Sequence, residues 1–169
     1  PGVDAIGAAV APVTFGTVEH MLFDNARLEP GETILVHAGG SGIGSAAIQL
    51  AKKTGCTVIT TVGSDDKVEK AKALGADHVI NYREDRFEGV VRKLTRKKGV
   101  DVVFEHVGKD TWAGSMLSLK RGGRLVTRGF DGEHEHLQDP CARCPTTCAR
   151  RAPGCTPQAP PNNAFNDSA

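Results

Sequence analysis

The apolar residues of this chain recur with two different periods that alternate along its length. Short β-branched runs stand at 34–37, 57–62, 77–80, 100–104 and 124–127, and each predicts a strand. Between them, apolar residues return every three or four positions and predict helices. One helix starts near Thr14 with the stripe Val18, Met21 and Leu22, and a second carries Ile43, Ala47, Ile48 and Leu50. A third carries Val68, Ala71 and Leu74. A fourth, over 84–95, turns Phe87, Val90, Val91 and Leu94 inward, and a fifth, from Asp110 or Thr111, carries Trp112, Met116, Leu117 and Leu119. Pro30-Gly31, Gly55, Gly75, Gly99 and Gly122-Gly123 punctuate the series. Ser64 stands where it caps the third helix, with Asp65 and Asp66 in the first turn, where the helix dipole favours acids. Strands alternating with helices predict an α/β fold, a doubly wound parallel sheet of about five strands with helices on both faces. Ligands of such sheets bind at the carboxyl ends of the strands. Here those ends are 38–44, 62–64, 81–82, 106–108 and 128–129.

The pattern stops near residue 129. Between 131 and 169 the only Leu, Ile or Val is Leu137, and Cys141, Cys144, Cys148 and Cys155 lie there with most of the prolines. Such text cannot bury a core. The expected organisation is therefore an incomplete dinucleotide-binding domain at 1–129 and a disordered, irregular tail at 130–169, read as the product of a shifted frame or a fusion. Four thiolates at short spacing are able to form a structural zinc site, but the disordered reading is preferred. Pro1 in place of Met is read as a fragment or a processed start. The formal net charge is +1 and the basic residues are scattered, which argues against nucleic acid or an anionic membrane as partner. No apolar run approaches a membrane span. Cys56 alone among the first 140 residues offers no disulfide framework and points to the cytoplasm.

The candidate chemistry lies between the first strand and the second helix, in Gly39-Gly40-Ser41-Gly42-Ile43-Gly44. Glycines let the backbone approach a diphosphate, and the unpaired N–H groups of a helix start attract its charge. The strict G-x-G-x-x-G spacing is not met, because Ser41 stands at the second glycine. Ser45 follows Gly44 where a Walker loop needs lysine, so that alternative fails. A short-chain dehydrogenase would need Tyr-x-x-x-Lys, whereas Arg86 lies four residues after the sole tyrosine, Tyr82.

The continuous blocks PVTFGT at 12–17, LEPGETILVH at 28–37, AKALGADHVINY at 71–82, GVDVVF at 99–104 and GGRLVT at 122–127 resemble the medium-chain dehydrogenase/reductase superfamily. The likeness is to the nucleotide-binding, Rossmann-like domain of its quinone-reductase-like branch. That branch writes its loop A-x-x-G-x-x-G, here Ala38-x-x-Ser41-x-x-Gly44. The resemblance implies diphosphate contacts from Gly39, Gly40, Ser41, Gly42, Ile43 and Gly44, while His106, Val107 and Gly129, at the carboxyl ends of the fourth and fifth strands, are candidate cofactor contacts by their place in the crevice. It also implies a substrate domain outside this chain, so catalytic residues are not named and little turnover is expected from the chain alone. A homo-oligomer is implied for the full-length protein.

Cofactor choice follows from the second strand's end. An NAD site places a carboxylate there to grip the ribose 2′-hydroxyl, and Thr60-Thr61-Val62-Gly63-Ser64 has none. In the similar reductases a serine, a lysine and a tyrosine surround the 2′-phosphate of NADPH, and Ser64, Lys67 and Tyr82 match them. A hydroxyl, a cation and a phenol suit a dianion. NADPH is expected over NADH, with hydride passing to a quinone or an activated enone as small-molecule substrate. Two alternatives stand beside it: a fragment of a zinc-dependent NAD(H) alcohol dehydrogenase, and a non-catalytic nucleotide-binding module. Zinc is not expected, since Pro12-Val13-Thr14 occupies the place of the dehydrogenases' cysteine ligand.

Overall fold

Five parallel strands form one sheet in the order β3-β2-β1-β4-β5. They are β1 (Thr33–Val36), β2 (Thr57–Val62), β3 (His78–Asn81), β4 (Val100–Glu105) and β5 (Leu119–Thr127). The structure is a computed structural model that describes residues 5–127. Gly129 and the four tail cysteines lie outside the described residues. The central strands are mostly β-branched and apolar because both their faces are covered. One face meets α1 (Ala5–Glu19) with its π-helical continuation (His20–Asn25), α2 (Gly42–Lys53) and α3 (Asp66–Ala73), through a core that includes Leu22, Ile34, Val36, Ile48, Val58 and Phe104. The other meets α4 (Phe87–Leu94) and α5 (Lys109–Ser118) through Leu35, Ile59, Ile80, Phe87, Val91 and Val103.

From β1 the chain steps outward to β2 and β3, then returns across the sheet to β4 and β5. The winding reverses between β1 and β4, and the loops leaving these two strands diverge there and open a crevice. At the opposite end, carboxylates satisfy the leading N–H groups: Asp101 accepts from Thr33 N (2.8 Å) and Asp77 from Val58 N (2.8 Å). Glycines at φ +90° (Gly55) and +107° (Gly75) let the chain leave α2 and α3.

Several local expectations change. The first helix begins well before Thr14 and holds Pro12 inside it. Ser64 does not cap α3; its hydroxyl goes to the Asp66 carboxylate, and Asp65 takes the cap position without a side-chain bond. Leu94, expected inside, is exposed. In α5 the expected inner residues Met116 and Leu117 are 48% and 57% exposed, while Ser115 and Ser118 are fully buried. β5 extends back to Leu119, with an irregular register against β4 near Val100. No described helix is long and apolar enough to cross a membrane.

Candidate nucleotide-binding site

The glycine loop is held by its own short bonds. Gly39 N–H donates to Thr61 O (2.9 Å), Ser41 N–H to Ala38 O (2.9 Å), and the Ser45 hydroxyl to Gly39 O (3.1 Å). Ser41 is the N-cap of α2, its Oγ accepting from Gly44 N–H at 3.0 Å. Gly42 and Ile43, the first two residues of α2, keep N–H groups that no helical carbonyl reaches, a ready anion site. Gly44 is sterically required, since a Cβ there would run into the backbone of Ala38 and Gly39. Helix and strand thereby approach closely under the loop.

Of the three residues expected around a 2′-phosphate, Lys67 and Tyr82 line the same depression. The aliphatic stem of Lys67 lies over Gly40, where an added Cβ would sit 2.7 Å from its Cδ. The Tyr82 ring lies over Gly63 in the same way, 2.9 Å from Cζ. Ala38, Gly40, Ser41, Val62, Gly63, Lys67 and Tyr82 enclose a depression of about 150 Å³. Ser64 is not among its lining residues, and its hydroxyl goes to the Asp66 carboxylate. The two acids nearby are engaged: Asp65 accepts from Asn81 Nδ2 (2.9 Å), and Asp66 is held below the usual carboxylate range by the Ser64 hydroxyl and by Lys67 and Lys70. Across Tyr82 a larger cavity of about 500 Å³ runs past Ala38, Thr61 and Phe87 to Val107 and Thr111.

Residues 42–145 match the zinc-binding dehydrogenase family. The chain belongs to that family. Within it the chain falls in the quinone-reductase-like branch of the medium-chain dehydrogenase/reductase superfamily. It is 39% identical over 113 residues to a 2-haloacrylate reductase of a Burkholderia species, covering 67% of this chain and 34% of that protein. It is 41% identical over 129 residues to a quinone oxidoreductase of Salmonella typhimurium, covering 75% and 39%. Mycobacterial Rv1454c, solved in complex with NADPH, superposes with a TM-score of 0.76 at 37% identity, covering 83% of this chain and 43% of that one. The chain thus spans between a third and two fifths of the length of these two curated relatives. These relatives carry the names of a reductase and a quinone oxidoreductase.

For a member of the zinc-binding dehydrogenase family, the metal question is immediate. Among the described residues no three His, Cys, Asp or Glu side chains gather around a common point. Cys56 is buried, its thiol donating to Glu29 O (3.3 Å), and burial raises its pKa.

What the sequence did not reveal lies beneath the crevice. His37, Thr61, Glu105 and Ser115 are all buried and hydrogen-bonded to one another. His106 joins them through Nε2, which donates to His37 O at 2.8 Å, so only part of its ring is left toward the crevice. Val107, 40% exposed, lines the larger cavity. The one available signal was polar text, His37 and Glu105, at the ends of two otherwise apolar strands.

Proposed function

We propose that residues 1–129 are the NADPH-binding part of a reductase that passes hydride to a quinone or an activated enone. The observation that carries this reading is the convergence of Lys67 and Tyr82 on Gly40 and Gly63, at a strand end whose neighbouring acids are already engaged. A cation and a phenol beside a small depression suit the 2′-phosphate, and the N–H groups of Gly42 and Ile43 suit the diphosphate. The cavity from Tyr82 to Val107 has the size for an adenosine.

Bound NADPH would supply the hydride chemistry. The share of this chain is to hold the nucleotide: Ser41 spends its side chain on the helix cap and so fixes the loop, while Gly44 lets α2 come close under it. The reductase names of the Burkholderia and Salmonella relatives support the acceptor class. Because the chain spans a minor part of these proteins, turnover is assigned to the chain together with the rest of its enzyme.

Lys67→Ala tests the phosphate pocket. The account predicts that the NADPH Kd rises at least about tenfold, equivalent to about 1.4 kcal/mol, while the NADH Kd moves less than about twofold. Equal weakening of both, or no change for NADPH, would contradict it.

A further inference from the structure

Beneath the crevice runs a chain of hydrogen bonds whose two ends are loop backbone. A carboxylate only accepts, so the Ser115 hydroxyl, 2.6 Å from Glu105 Oε2, must donate to it. The Ser115 oxygen is then free to accept from His37 Nε2–H at 2.9 Å. His37 Nδ1 is left with a lone pair, which accepts from the Thr61 hydroxyl at 3.1 Å. Thr61 Oγ1 in turn accepts from Ala38 N–H at 3.2 Å. At the other end Glu105 Oε1 accepts from Val107 N–H (2.9 Å), Gly108 N–H (3.2 Å) and the Thr111 hydroxyl (2.9 Å). One protonation pattern satisfies every member, with His37 neutral and its proton on Nε2. Burial holds the His37 pKa down to about 4 despite the attraction of Glu105, and agrees with that pattern. The Phe87 ring packs edge-on against His37 at 4.9 Å.

Stability alone does not ask for such a chain, since well-packed apolar side chains would hold two strands and a helix together as well. Its termini tell more. One fixes Ala38, a non-glycine residue at φ +45° that opens the glycine loop, and the other fixes the turn at Gly108, φ +101°. A left-handed alanine persists only where its surroundings over-determine it.

We propose that Glu105 is a positioning residue which, through Ser115, His37 and Thr61, sets the spacing between the two loops lining the crevice, 38–41 and 106–108. This rests on the reading of the crevice as a nucleotide site. It extends that reading to residues that cannot touch the ligand, since His37, Glu105 and Ser115 are wholly buried.

The test uses the full chain. Glu105→Gln keeps the volume but turns one acceptor into a donor, and Ser115→Ala removes the middle link. Both are expected to speed amide exchange at Val107 and Gly108 and to raise the NADPH Kd about tenfold. Val91→Ala, a cavity in the same core layer away from the crevice, is expected to cost stability while leaving the Kd within about twofold and those two amides unchanged relative to global unfolding. Should Glu105→Gln not fold, Ser115→Ala decides. Unchanged exchange at Val107 and Gly108 would overturn the proposal, as would equal effects from Val91→Ala or a His37 nitrogen spectrum showing the proton on Nδ1. If the wild-type chain takes up no NADPH, the functional reading fails, and the exchange data still judge the positioning role alone.

Discussion

His37 carries a pH dependence that follows from its surroundings. It faces Thr61 from β2, Glu105 from β4, Ser115 from α5, Phe87 from α4 and the neighbouring His106, and it is wholly buried among them. Unfolded, its imidazole takes a proton near 6.5; folded, burial defers this to about 4. Between those values the unfolded chain binds more protons, so stability is full above about pH 6.5 and declines as the pH falls toward 4. Glu105, whose pKa is also lowered in the folded state despite its burial, adds a loss in the same direction at lower pH. The ceiling for His37 is about 3 kcal/mol. Urea unfolding at pH 7, 5.5 and 4.5 should show a steep fall for the wild type and a shallower one for His37→Gln; parallel falls would contradict the account. At this scale the sequence was legible where one residue type has one use. Lys67 and Tyr82 line one small depression, as the reading of them as a pair implied, whereas His37 and Ser115 each read as ordinary until their partners, 24 and 78 positions away, came into contact.

At the scale of elements, strand positions were readable because a strand covered on both faces admits little but β-branched and apolar residues. Helix faces were less so. In α5 the periodicity favours an apolar stripe through Met116, yet the side that meets β4 must answer Glu105, and it does so with Ser115 and Thr111. A polar demand from a neighbouring strand leaves no periodic trace. The start of α2 shows the opposite case, where one side chain does visible work. Ser41 replaces the glycine usual in similar loops and caps the helix, accepting from Gly44 N–H. Ser41→Ala should lower stability by about 1 kcal/mol, with Ser41→Gly closer to neutral, as judged by chemical denaturation. If Ser41→Ala proves silent, the cap assigned to it is not contributing.

On the scale of the whole molecule, the order β3-β2-β1-β4-β5 puts the reversal of winding between β1 and β4; the glycine loop and residues 106–108 leave the carboxyl ends of those two strands, and Lys67 and Tyr82 follow the same ends of β2 and β3. Strand alternation alone predicted that end of the sheet as the binding edge, and the glycine loop named its centre. The end of β2 lacks a carboxylate in the sequence itself, which is one ground for proposing a preference for the 2′-phosphate. The structure adds that Asp65 and Asp66, the nearest acids, are occupied by Asn81 and Ser64. The carboxyl edge of the sheet is thus proposed to be a dinucleotide site that prefers a 2′-phosphate. Calorimetric titration of the chain with NADPH and, separately, with NADH tests it most directly. The account predicts NADPH binding at least about tenfold tighter, a difference of about 1.4 kcal/mol; equal or NADH-favoured affinity would contradict it.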